Sequence, residues 1–199
     1  PWFTPTREMN ADDVLFSIRR LMERDSPWRK AAPNGFIAWD SFGLADGVKA
    51  IDKLDATTAR FTLARPTAPF LINMTQFNTM SVYSAEYGAQ LLKSGRPELL
   101  NVQPVGTGPF VFRSYQKDTV LRMTAHPGYW GGVQQIDNLV FAVTPDANVR
   151  VQRLKAGECL VGANMRAESL AEFEGSKVQA PGFGGLPRSD IVVNGKRPF

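Results

Sequence analysis

Pro104-Val105-Gly106-Thr107-Gly108-Pro109-Phe110 is the stretch around which the chain is organised. Two glycines on either side of one threonine permit backbone angles closed to other residues, and Pro109 fixes φ at the entry to the next segment. Gly106, Thr107, Gly108 and Pro109 therefore read as a rigid corner leading into a strand. A phosphate cradle is excluded, because no Lys-Ser/Thr pair comes after the glycines and no helix start is placed to meet an anion. Strand-and-helix groups lie on both sides. The irregular Pro/Gly sequence at Pro104 thus predicts a boundary, with residues 1–103 as one unit and 104–199 as another.

Upstream, Asn10 is an N-cap, and Asp12 and Asp13 oppose the positive end of the adjoining helix dipole. The spacing predicts a helix over 11–23, with Val14, Ile18, Leu21 and Met22 facing a core and Arg19, Arg20 and Glu23 in water. From Ser26 to Asp46 the large aromatics Trp28, Phe36, Trp39 and Phe42 keep no clean period, which predicts a long, partly structured loop. Residues 47–54 and 57–64 then read as an antiparallel hairpin, with Ala59, Phe61 and Leu63 on its buried face. Pro69 suits the first turn of a short helix through Met74. A strand over 79–83 and a helix capped by Ser84 and ended by Gly95 complete this half.

Downstream, residues 108–116 and 119–125 form a second predicted hairpin turning at Lys117-Asp118, and 136–144 is an apolar strand. Pro145-Asp146 opens a helix that Gly157 stops. Short strand, helix and strand segments at 159–162, 167–174, 177–180 and 191–193 close the chain.

Composition narrows the function classes. With 199 residues and 43% hydrophobic content the chain can bury a core. Its 23 Lys and Arg against 19 Asp and Glu are scattered, without the basic stripe that nucleic-acid binding needs. No stretch approaches the roughly 18 apolar residues of a membrane span, and residues 1–5 lack the features of a signal peptide. Cys159 and His126, with Asp146 as an orienter, could be nominated as a thiol-imidazole pair, but none of them lies in a nucleophile motif. One histidine and one cysteine also make no closed zinc site. The reading is of a protein that is not an enzyme and carries no cofactor.

Four stretches, taken in order, carry a resemblance. Phe3 to Val14, extended by Phe16 and Ser17, is similar to an "n-A-D-D-V-v-f-S" helix start. Pro104 to Phe110 matches "P-[IV]-G-T-G-P-[FY]" almost letter for letter. Gly128-Tyr129-Trp130-Gly131, with Ile136, Asp137 and Phe141, is similar to "YW-g…i-D-x-l-x-f". Arg150, Leu154, Gly157 and Glu158 fit "R-x-x-x-L-x-x-G-E". Together these resemble the bacterial extracellular solute-binding proteins of family 5, the receptors for dipeptides, oligopeptides, haem and nickel in ABC importers. Thr144-Pro145-Asp146-Ala147 and Glu158-Cys159 resemble the dipeptide-binding branch.

That resemblance implies an α/β (mixed α+β) fold, a type II periplasmic-binding-protein lobe with a mixed sheet flanked by helices. It implies that the family's N-terminal strands and second lobe are missing, and that residues 1–103 are a small family-specific subdomain beside part of the ligand-binding lobe. It implies capture of a peptide or other small solute in the periplasm, after secretion on a signal peptide absent here, and delivery to an inner-membrane ABC permease. In the family, the charges that anchor a peptide's two ends belong to the second lobe. Candidate ligand contacts here are Phe36 and Trp39, on a loop that forms an aromatic wall in some members, and Phe183, Gly184 and Gly185, where glycine lets a peptide backbone approach or simply marks a turn. Tyr129 and Trp130 are expected as a packed anchor rather than a ligand platform. Cys159 is expected to bond to a cysteine in a missing N-terminal segment. The alternatives are a lobe that binds nothing alone and self-associates through exposed apolar faces, and a member specific for haem, a nickel chelate or another small solute.

Overall fold

The computed structural model describes residues 2–32, 34–76, 81–173, 178–179 and 191–194. The chain forms two compact units, Pro1–Gly108 and Pro109–Phe199.

In the first unit, helix α1 (Ala11–Met22) starts with a reciprocal capping box: the Asn10 side chain accepts from the Asp12 N–H, and the Asp13 side chain accepts from the Asn10 N–H. Its buried face carries Leu15, Ile18 and Leu21, but also Asp13, Ser17 and Arg20. Val14 and Met22 sit at the margin of that face. Arg20 therefore corrects the expectation of a wet residue, because its guanidinium is packed against aromatic rings instead of water.

The expected loop over 26–46 contains three single-turn helices. They are α2 (Pro27–Lys30), capped by Ser26, α3 (Ile37–Ser41) and α4 (Leu44–Gly47), the last two joined by Gly43 at φ +67°. A helix of one turn is too short to show a hydrophobic period and is held by its anchors, here the buried Trp28, Trp39 and Leu44. Strands β1 (Val48–Lys53) and β2 (Ala59–Leu63) form the antiparallel hairpin, with Ile51 opposite Phe61. Helix α5 (Phe70–Met74) comes next. Of the strand expected over 79–83, residues 81–83 are not in a strand and the rest lies outside the described residues. Helix α6 (Ala85–Lys93) is capped by the Ser84 hydroxyl, and Gly95 at φ +70° ends it.

Two cores hold this unit. Leu15, Ile18, Leu21, Trp39, Leu44, Val48 and Ile51 form one, where α1 packs on the hairpin. Trp28, Tyr87, Leu91 and Leu100 form the other, with Phe3, Phe16 and Val105 against it. Gly88 on α6 faces the Phe16 ring so closely that a Cβ there would force the ring to move.

In the second unit, β3 (Phe110–Gln116), β4 (Val120–Ala125) and β5 (Asn138–Ala142) form an antiparallel sheet in that order. Asp118 takes the left-handed conformation at its first turn, φ +56°. Helix α7 (Ala147–Ala156) starts at the Asp146 cap and ends at Gly157, φ +75°. Strand β6 (Val161–Ala163), helix α8 (Ala167–Leu170) and strands β7 (Val178–Gln179) and β8 (Ile191–Asn194) complete it, the sheet order being β6-β8-β7. Val151, Leu154, Met165 and Phe173 are its core. The fold is mixed α/β, with antiparallel pairing among the described strands.

Two expectations about structural motifs change. Neither Gly106 nor Gly108 has a positive φ, and a methyl group on either would meet nothing within 4 Å, so this geometry does not require glycine at the corner. Trp130 is 83% exposed rather than a packed anchor. It meets Tyr129 at 5.2 Å between ring centroids, and Tyr129 lies over Gly131, where a Cβ would come within 2.6 Å of the ring.

Candidate ligand-binding site

Three polar residues at positions i, i+4 and i+7 of α1, namely Asp13, Ser17 and Arg20, fall on its buried face, and each organises something beyond the helix. The carboxylate of Asp13 accepts from both terminal nitrogens of Arg7 and from the Ala85 N–H. The Ser17 hydroxyl donates to the Asp13 carbonyl at 2.6 Å and accepts from the Tyr83 N–H at 2.7 Å. That second bond holds Tyr83 so that its ring lies 4.2 Å from the Arg20 guanidinium carbon. The ring centroid of Phe36 also lies near that guanidinium carbon, at 5.1 Å.

These groups border an open hollow of about 820 Å³ within the first unit, a volume in the range of small-molecule sites. Its wall includes Arg20, Phe36, Trp39, Phe42, Ser81 and Tyr83. The two aromatics singled out from sequence, Phe36 and Trp39, are thus brought to one place. Their roles differ, because Phe36 is half-buried and Trp39, though it borders the hollow, is only 1% exposed and belongs to the core. The indole Nε1–H of Trp39 and the Nε–H of Arg20 are both buried without a hydrogen-bond partner among the described residues.

The charge around the hollow is one-sided. Burial pushes the Arg20 guanidinium down from its ordinary value, with Tyr83 opposing that shift. Arg29 also lies over Phe36, at 5.4 Å, but it donates to the Leu21 carbonyl and pairs with Asp40 at 3.2 Å.

The remaining candidates lie elsewhere. Phe183, Gly184 and Gly185 are outside the described residues. Tyr129, Trp130 and the half-buried Cys159 belong to the second unit, and Cys159 is a free thiol. The His126 Nδ1 accepts from the Gly128 N–H at 3.0 Å, and Asp146 is occupied in capping α7. Among the described residues no group of histidine, cysteine and carboxylate side chains could hold a metal ion, and no helix is long and apolar enough to cross a membrane. Sequence reading missed Arg20 and Tyr83. The polar stripe Asp13, Ser17, Arg20 was the available signal, since three polar residues on a face that otherwise carries Leu15, Ile18 and Leu21 imply buried partners.

Comparison with known proteins agrees with this architecture. The family model of the bacterial extracellular solute-binding proteins, family 5 middle region, matches residues 3–188. Di/tripeptide-binding protein 4 of Pseudomonas aeruginosa is 48% identical over 173 residues, which cover 87% of this chain and 32% of that protein. Heme-binding protein A of Haemophilus influenzae is 40% identical over 199 residues, covering 99% of this chain and 36% of that protein. Among solved structures, the dipeptide binding protein of Pseudoalteromonas sp. SM9913 in complex with Met-Leu superposes with a TM-score of 0.82 at 29% identity, over 89% of this chain and 35% of that one. The chain spans about a third of the length of the curated relatives it matches. With sequence match and fold agreeing across most of its length, the chain belongs to the bacterial extracellular solute-binding proteins of family 5, a family of binding proteins and not of enzymes.

Proposed function

We propose that this chain is part of the substrate-binding component of an ABC importer, which captures dipeptides and other short peptides in the periplasm and delivers them to an inner-membrane permease. The observation that carries the reading is the 48% identity to a di/tripeptide-binding protein over most of the chain. In this reading residues 1–103 form a small family-specific subdomain and 104–199 part of the ligand-binding lobe. Phe36 and Trp39 supply an aromatic wall against which a bound peptide's side chain packs. The half-buried ring of Phe36 is the better contact, because Trp39 is committed to the core.

The test is equilibrium binding by the protein that carries this chain to Ala-Phe, to Ala-Ala-Ala and to free phenylalanine. Micromolar or tighter binding of the peptides, at least tenfold tighter than of the amino acid, is the expected result. A preference for free phenylalanine would contradict it. The relative named as heme-binding, covering 99% of the chain, motivates a second reading in which the solute is haem, and haemin belongs in the same titration series.

A further inference from the structure

The hollow beside α1 has an unbalanced chemistry. Among its described lining residues the one formal charge is the guanidinium of Arg20, and no carboxylate lines it. Arg20 is 9% exposed, lies with its guanidinium carbon 4.2 Å from the Tyr83 ring centroid and 5.1 Å from that of Phe36, and has no ion pair among the described residues, while the other cation near the hollow, Arg29, is already matched by Asp40. A desolvated cation without a counter-ion is unfavourable, and an anion reaching it in this apolar setting gains more than it would in water. The Nε–H on one edge of the guanidinium is buried without a hydrogen-bond partner among the described residues, which leaves that edge a donor for a planar acceptor. A carboxylate fits that edge, and the apolar aromatic walls fit a short hydrocarbon stem behind it.

We propose that this hollow is an anion subsite in which Arg20 receives a carboxylate carried on a short apolar stem. Its source is the acidic side chain of a bound peptide or a free dicarboxylic acid. The choice of peptide probes rests on the peptide-capture reading above, and the proposal adds to that reading a specificity that it does not contain.

Calorimetric titrations of the protein that carries this chain with Ala-Glu, Ala-Gln and glutarate test it. The dipeptides differ only in a carboxylate against a carboxamide, and glutarate offers the carboxylate without a peptide. The expected result is binding of Ala-Glu at least tenfold tighter than of Ala-Gln, with the gap falling below twofold in Arg20→Met. Because Arg20 packs in the protein interior and that variant could fail to fold, the Arg20 Nε–H resonance of the unmodified protein is monitored in parallel. It should shift with Ala-Glu and stay in place with Ala-Gln. Equal affinities with no resonance shift would overturn the subsite while leaving peptide capture intact. Glutarate binding that depends on Arg20, with no binding of either dipeptide, would support the subsite and assign it to free acids, against peptide capture. A preference for Ala-Glu that persists in Arg20→Met, or no binding of any probe, would overturn the subsite.

Discussion

Arg7 grips Asp13 with both prongs of its guanidinium, Nη1 to Oδ2 at 2.7 Å and Nη2 to Oδ1 at 3.0 Å, and the Asp13 side chain is 4% exposed. The same carboxylate accepts from the Asn10 N–H at 2.9 Å and the Ala85 N–H at 2.8 Å. One side chain therefore ties the N-terminal segment, the start of α1 and the start of α6 together. Asp13→Asn keeps the shape but loses the charge that matches Arg7, and because the arginine left unmatched is 30% exposed the change should cost about 1–3 kcal/mol. Urea unfolding should show a lower midpoint with an unchanged slope.

The same group sets a pH dependence. Burial by itself would raise the Asp13 carboxyl, but the bonds from Arg7, Ala85 and Asn10 outweigh it and hold it below its ordinary value. A carboxyl lowered in the folded state contributes stability that is complete above its unfolded value, about 3.9, and that is lost as the pH falls through the folded value. Urea midpoints taken from about pH 6 down to pH 2 should fall more steeply for the native protein than for Asp13→Asn, with the difference confined to the acid end.

Ser17→Ala should destabilise by about 1–3 kcal/mol, because it leaves the Tyr83 N–H without its 2.7 Å acceptor in a part-buried setting. Since that bond positions the ring under Arg20, the variant should also weaken any ligand contact in the hollow. Thermal unfolding and peptide titration on one preparation measure both effects.

Gly88→Ala reverses a general rule. In an open helix the change gains about 0.5–1 kcal/mol, but here the new methyl group runs into the Phe16 ring. The overpacked site should cost about 1–3 kcal/mol. A rise in melting temperature would show that α1 and α6 do not approach as described.

How much of this was legible in the sequence depended on how local each cause is. The caps at Asn10, Ser84 and Asp146 and the stops at Gly95 and Gly157 act within one turn, and each appears where the residue types predicted it. The hairpins over β1-β2 and β3-β4 were readable from their alternation for the same reason. Arg20 was not, since its burial depends on Phe36 and Tyr83, which are distant in sequence. The single-turn helices between Pro27 and Gly47 lacked the length to show a period. The exposure of Trp130 had no local signature, because residue type describes what a side chain prefers and not what stands opposite it. Phe36 was singled out for its aromatic character and lines the hollow, whereas Arg20 was read as a wet residue and its place on the same wall came only with the fold.

The two aromatics of the wall should separate by experiment. Trp39→Ala removes a side chain that is 1% exposed and should cost about 3–5 kcal/mol in stability. Phe36→Ala should cost less stability and, by removing the half-buried wall, weaken Ala-Phe binding at least fivefold. Equal losses of stability with unchanged binding would make both residues core alone.

The most direct measurement is a side-by-side calorimetric comparison, on the protein that carries this chain, of Ala-Phe, haemin and the nickel complex of histidine. Peptide capture predicts a saturable micromolar or tighter isotherm for Ala-Phe, with the other two at least a hundredfold weaker. Tight binding of haemin or the nickel complex with no heat from the dipeptide would contradict it.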